Sequence, residues 1–261
     1  MFVTTGDGVE LWWQSEGSGP TVLLIPGRGD PTDLFPTEFS DALVAGGRSV
    51  LRWDPRDTGL SGDGGDTYTV ATIAEDSIAV LDAAGVDAAH VVGISMAGLV
   101  MSYLVSRHAD RVLSLTFIAA MSPDGDAGMG EDFFGAIDLD PDDRVAGLVR
   151  AMGETTAEDR RWAAGLIAAG DRRAAHRPDA VVRHQEAAFR LDWPTVASLR
   201  SVEVPTRVFH GELDRVLPVA HAEALGAGMP TASVTIVDGM GHIPRLGDWL
   251  MIADQVVAGS A

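Results

Sequence analysis

The stretch His90-Val91-Val92-Gly93-Ile94-Ser95-Met96-Ala97-Gly98 limits what this chain can fold into more than any other. An apolar run of strand length ends on a serine, and a helix-forming run begins at once. A strand that turns directly into a helix forces strained backbone angles on the corner residue, and its neighbours two positions away must be small. Gly93 and Ala97 meet that demand; glycine is commoner at the second place, but alanine is still small and Gly98 follows. The corner exposes the Ser95 hydroxyl at the strand's C-terminal edge. A helix N-terminus lies behind it, where negative charge is stabilised. Alone, the pattern also fits an ordinary strand-to-helix turn with a serine N-cap, so the rest of the chain has to decide.

That chain alternates strands and helices joined by short links. Phe2 to Thr5 and Val9 to Ser15 flank Gly6-Asp7-Gly8, a hairpin signal. Thr21 to Ile25 is a continuous apolar run, as expected of a strand buried on both faces. It ends in the turn-forming loop Pro26-Gly27-Arg28-Gly29-Asp30-Pro31. Next come a helix over 37–46, a strand from Ser49 to Trp53, a helix from Thr69 to Ala84, and the strand ending at Ile94. A helix from Met96 to about His108 and a strand from Val112 to Ala119 follow. Later the pattern resumes with a strand over Pro205 to His210, a helix near 219–227, a strand from Ala232 to Val237 and a helix near 246–257. The expected fold is α/β: a mostly parallel, eight-stranded sheet with helices on both faces. In such sheets, sites lie outside the C-terminal ends of the strands.

Residues 122–201 break the alternation, with helical stretches near 131–137, 141–152, 156–169 and 178–192. They read as a helical cap inserted after the sixth strand, leaving 1–121 and 202–261 as the core. The segment holds ten of the nineteen arginines and fifteen of the thirty-eight acids, so it is not a basic binding face. Arg160-Arg161 and Arg172-Arg173 read as exposed helix charge.

Composition narrows the function. The 261 residues are 46 % hydrophobic, enough for a sizeable core. A net charge of −19 argues against nucleic acid and anionic membranes as partners. There is no cysteine and no lysine, so thiolate, zinc-thiolate, disulfide and lysine Schiff-base chemistry are excluded. Asp124-Gly125-Asp126 lacks the rest of a calcium-loop pattern and reads as a hinge. Neither a metal nor a cofactor is expected. No leader-like or membrane-length apolar run is visible, so the expected setting is the cytoplasm. A homodimer is left open.

A serine hydroxyl needs a base with a pKa near 7, and the imidazole needs a carboxylate on its other nitrogen. Ser95, Asp214 and His242 each follow a predicted strand and so project from one sheet edge. His242 sits in the Gly-flanked loop Gly239-Met240-Gly241-His242 after the last strand. The other histidines lie at a strand start (His90), near a helix end (His108), in the inserted segment (His176, His184), at a strand end suited to a structural hydrogen bond (His210), or in a helix (His221). Asp124 is an alternative acid and Asp238 a weaker one, while Asp54 and Asp57 suit holding loop backbone. The Met96 and Arg28 backbone N–H groups are the candidate oxyanion donors. The Arg28 side chain reads equally as a solvated loop charge or a group at a pocket mouth.

Five pieces, taken in order, resemble the α/β-hydrolase superfamily over nearly the whole chain. They are Pro26-Gly27-Arg28-Gly29, Asp54-Pro55-Arg56-Asp57-Thr58-Gly59-Leu60-Ser61, Gly93-Ile94-Ser95-Met96-Ala97-Gly98, Gly211-Glu212-Leu213-Asp214 and Gly239-Met240-Gly241-His242. The Arg-Asp-Thr-Gly loop and the Gly-Met-Gly-His ending look like the branch containing aclacinomycin methylesterase. The resemblance implies a serine hydrolase of a small-molecule carboxylic ester or lactone, such as a methyl ester of a polyketide-like or other lipophilic compound. C–C bond or enol-lactone hydrolysis by the same residues, or a non-hydrolytic cyclase or ligand-binding role, are the alternatives. The pattern departs at Pro26, where His is usual before the glycine, and at Ala97. Gly27, Phe133, Phe134, Trp162 and Trp193 are candidates for the substrate pocket, with packing of the insertion on the core as the competing role of the aromatics.

Overall fold

The computed structural model describes residues 1–65, 67–124, 127–133, 144–190 and 194–259. The described strands are β1 (Phe2–Thr4), β2 (Glu10–Gly17), β3 (Thr21–Ile25), β4 (Ser49–Trp53), β5 (Ala89–Ile94), β6 (Val112–Ile118), β7 (Thr206–Gly211) and β8 (Ala232–Val237). The described helices are α1 (Thr37–Ala45), α2 (Val70–Ala83), α3 (Ala97–Arg107), α4 (Arg144–Ala151), α5 (Ala157–Arg173), α6 (Pro178–Phe189), α7 (Ala220–Gly228) and α8 (Leu246–Gly259). One sheet takes the strand order β1-β2-β4-β3-β5-β6-β7-β8. The hairpin β1–β2 is antiparallel, and so is β2 against β4. From β4 to β8 every pairing is parallel.

Side chains two apart on a strand share a face, and the core divides accordingly. On one face Leu23, Ile25, Val91, Leu115 and Phe117 pack with α2, α3 and α7 through Ile73, Leu81, Leu104 and Leu225. On the other, Val22, Leu24, Val92 and Ile94 pack with α1 and α8 through Phe39, Leu43, Trp249 and Ile252. Phe35, Phe39 and Trp249 meet there with ring centroids 5.1–5.8 Å apart. Each such side chain contributes roughly 1.5–3 kcal/mol on burial, so the apolar runs are core on both sides of the sheet.

The insertion between β6 and β7 carries α4, α5 and α6. Of the helix expected over 131–137, residues 131–133 form a turn and the remainder lies outside the described residues. Helix α5 runs past the expected end at 169 to Arg173. A glycine within a helix costs only about 1 kcal/mol against alanine, and Arg173 at the helix end is held by two carboxylates. Its guanidinium lies 2.6 Å from Asp33 and 2.7 Å from Asp54. The reading of Arg173 as exposed charge is therefore corrected: the fully buried Asp54 fixes it. Arg172 and Arg161 are exposed. Among the described residues no helix is long and apolar enough to cross a membrane.

Candidate active site

Ser95 stands at the corner between β5 and α3 with φ of 59°, in the left-handed region that a non-glycine residue enters at a cost. Its N–H donates to Ile118 O, and its carbonyl accepts from Gly98 and Met121, so backbone bonds on both sides hold the corner. A Cβ on Gly93 would strike Met101 and stand 2.8 Å from the Ala97 methyl. The small residue expected at position 93 is therefore obligatory, and Ala97 fits because Gly93 leaves it room.

The three candidates from distant parts of the chain come together here. Ser95 Oγ lies 2.9 Å from His242 Nε2. His242 Nδ1 lies 2.8 Å from Asp214 Oδ2. With Nδ1–H donating to the carboxylate, the Nε2 lone pair faces the serine hydroxyl. Asp214 is fully buried, and its other oxygen accepts the N–H groups of Val216 and Leu217 at 2.8 and 2.9 Å. Burial works to raise this carboxyl. The facing His242, with hydrogen bonds from His210 and His242, outweighs burial and holds it well below the usual carboxylate range. His210 sits behind, its Nε2 2.9 Å from Leu217 O and 3.3 Å from Asp214 Oδ2. It thus makes the structural hydrogen bond expected of it and also touches the acid.

Three of the other histidines have partners elsewhere. His90 bonds Ser114, His108 faces Glu75, and His221 joins Ser122 to Gly128 O. His176 lines the cavity described below. Asp54 and Asp57 do hold loop backbone: Asp54 accepts from Thr32 and Leu60, and Asp57 accepts from Gly64. They also anchor the insertion, through Arg173 on Asp54 and Arg183 on Asp57 at 3.1 Å.

Above Ser95 opens a cavity of about 490 Å³, walled by the β3 loop on one side and by α4, α5 and α6 on the other. Ser95, Met96, Arg28 and His242 face it, with apolar walls from Leu148, Leu166, Ile167 and Val181. Among the described residues, the backbone N–H groups of Arg28 and Met96 donate to no protein acceptor. The Arg28 side chain is not solvated at a loop tip. It lies over the Phe133 ring at 4.8 Å and donates to Gln185 at 2.7 Å. Burial draws its pKa down, and Asp30 opposes that.

A family model described as the alpha/beta hydrolase fold matches residues 20–246. The chain belongs to the α/β-hydrolase fold family. It is 29 % identical to rhodomycin D methylesterase DnrP of Streptomyces peucetius, over 91 % of this chain and 90 % of that protein. It is 32 % identical to a pimeloyl-[acyl-carrier protein] methyl ester esterase of Aromatoleum aromaticum (strain DSM 19018 / LMG 30748 / EbN1), over 92 % of this chain and 99 % of that protein. The esterase RhEst1 from Rhodococcus sp. ECU1013 shares the fold, with a TM-score of 0.83 at 20 % identity over 100 % of this chain and 99 % of that one.

The pocket candidates divide. Phe133 is on the cavity wall. Trp162 is not among the wall residues; it packs against the core cluster of α1 and α8, because α5 turns that face inward. Gly27 lies beside the serine, where an added Cβ would stand 3.2 Å from Ser95 Cβ, and is not a wall residue. Phe134 and Trp193 lie outside the described residues.

Two residues near the site carry little or no signal in the sequence. Asp30 faces the cavity next to the serine. His184, fully buried on α6, accepts the Gly29 N–H at Nδ1 and donates from Nε2 to Arg56 O, each at 2.9 Å. Asp30 carried one signal, its place in the Gly-rich loop that also holds Arg28. His184 carried none, because its partners lie more than a hundred residues away.

Proposed function

We propose that this protein is a serine esterase of the hydrolase family, acting on a carboxylic ester or lactone through Ser95, His242 and Asp214. The observation that carries the reading is the chain of two hydrogen bonds, 2.9 and 2.8 Å, that joins these side chains at the cavity floor. Ser95 Oγ attacks the carbonyl carbon as its proton passes to His242 Nε2. Asp214 fixes the ring and balances the imidazolium. The unengaged N–H groups of Met96 and Arg28 hold the oxyanion; one such donor is worth about 3 kcal/mol of transition-state stabilisation. His242 then protonates the leaving oxygen, and water, activated by the same ring, releases the acid from Ser95.

Residues 122–201 act in this reading as a cap whose helices form the far wall. The apolar wall suits a lipophilic small molecule, polyketide-like or otherwise. Both relatives are named for methyl esters, which supports a methyl ester as the first substrate to try.

Labelling with a fluorophosphonate probe, followed by peptide mass spectrometry, tests the reading. Stoichiometric labelling at Ser95, abolished by Ser95→Ala and weakened by His242→Ala, is the expected result. Folded protein that takes no label would overturn it.

A further inference from the structure

The cavity wall contains four acids among the described residues: Asp30, Asp33, Asp132 and Asp171. Three of them hold an arginine. Asp33 has Arg173 at 2.6 Å, Asp132 has Arg215 at 3.0 Å and Asp171 has Arg144 at 2.6 Å. Asp30 holds none, and among the described residues no hydrogen bond to its carboxyl is found. Its backbone is fixed by a bond from its N–H to Gly27 O. Its Oδ2 lies 3.2 Å from the point where a Cβ on Gly27 would stand, and Ser95 Cβ is at the same distance from that point. The carboxyl oxygen and the Cβ of the nucleophile therefore flank the same small space beside Gly27, on the wall of the cavity that Ser95 faces.

Asp30 is half-buried on the cavity wall, and a carboxyl so placed without a protein donor keeps its hydrogen-bonding capacity for a ligand and bears part of the cost of desolvation. Burial raises the Asp30 pKa to about 6, against the pull of Arg28, His242 and Arg144. A ligand that supplies an O–H donor recovers the lost bond. One that buries the carboxyl under hydrocarbon leaves it unpaired, and sites of this kind discriminate strongly for that reason. An ammonium donor is disfavoured, because it would face the guanidinium of Arg28 across the same wall. A neutral hydroxyl meets no such repulsion.

We propose that Asp30 is a specificity-determining residue, whose carboxyl accepts a hydrogen bond from a hydroxyl two or three bonds from the scissile carbonyl, so that the substrate is a hydroxylated ester or lactone. This rests on the hydrolase reading of Ser95. The apolar remainder of the substrate lies along Leu148, Leu166 and Ile167.

The test compares methyl β-hydroxyoctanoate with methyl octanoate in two measurements. One is kcat/KM of the native protein; the other is affinity for the Ser95→Ala variant by calorimetry. The hydroxy ester is expected to be favoured about tenfold or more in both. Asp30→Leu brings the ratio of the two esters close to one in both measurements, and Asp30→Asn, which still offers an acceptor oxygen, retains part of the preference. Asp30→Ala gives the same comparison should the leucine variant not fold. Equal handling of the two esters, or a preference that survives loss of the carboxyl, would overturn the proposal. Failure of the hydrolase reading looks different: neither ester is turned over and no fluorophosphonate label is taken, while the binding preference of Ser95→Ala is still measurable.

Discussion

The Gly29 N–H donates to Nδ1 of His184 across 2.9 Å, and this bond suspends the loop after β3 from helix α6 of the insertion. Gly29 has a φ of 71°, and a Cβ there would stand 2.6 Å from the Val181 backbone, so loop and helix are in direct contact. Through Nε2 the same ring holds Arg56 O in the loop after β4. One neutral imidazole therefore spaces two loops at the sheet's C-terminal edge, and one of those loops carries the Arg28 N–H.

That role predicts a pH-dependent stability. Burial depresses the His184 pKa to about 4, against an ordinary value of about 6.5 in the unfolded chain. Only the unfolded chain takes up a proton as pH falls between these values. The stability contributed by the neutral ring is complete above about 6.5 and is lost progressively as pH falls toward about 4. Thermal melts of native protein should fall through this window, and His184→Phe should melt with a flatter pH profile. At neutral pH the variant should lose about 1–3 kcal/mol, since two buried backbone groups lose their partner. Identical pH profiles would show that His184 does not contribute.

Asp214→Asn should lower kcat on a methyl ester by roughly 10³–10⁴-fold, because the amide no longer fixes the tautomer or balances the imidazolium. Far-ultraviolet circular dichroism should be unchanged, since Val216 and Leu217 N–H retain an acceptor oxygen. A loss below about tenfold would shift attention to another acid near His242.

Asp30→Asn should raise the melting temperature above pH 6. The folded-state pKa of Asp30 is raised to about 6, so the stability its protonated form supplies is complete below the unfolded value and is lost as pH rises through about 6. The neutral amide carries no such cost. The gap between variant and native protein should close near pH 4, and a gap independent of pH would contradict the assignment. A variant that gains stability while losing part of its substrate preference is the trade expected of a binding group.

Arg173→Ala should destabilise the fold by about 3–5 kcal/mol in urea, because it leaves the buried Asp54 carboxylate with only backbone donors. Asp54 accepts both Nη groups of Arg173 at 2.7 and 2.8 Å. Arg160, on the same helix, reaches only Thr155 among the described residues, and Arg160→Ala should stay within about 0.5 kcal/mol of native. Equal effects for the two would mean that the clamp does not hold the insertion.

The sequence by itself determined what depends on local pattern. Continuous apolar runs such as Thr21–Ile25 give strands buried on both faces. The Gly93-Ile94-Ser95-Met96-Ala97 corner dictates a strand-to-helix turn. Turn-rich loops after β3, β7 and β8 then bring Arg28, Asp214 and His242 to one edge. These rest on periods of 2 and 3.6 residues and on the steric demands of single turns, which a short window of chain contains. The tertiary structure alone decided which charges are buried and which aromatics face the cavity. Arg172 and Arg173 are neighbours on one helix, yet only Arg173 meets Asp54, 119 residues away. Phe133 lines the cavity while Trp162 packs into the core. Among the described residues Asp30 pairs with no arginine, while those of α5 and α4 pair with Asp33 and Asp171. Desolvation and pairing are properties of what the fold places within a few ångströms, and distance along the chain carries no record of it.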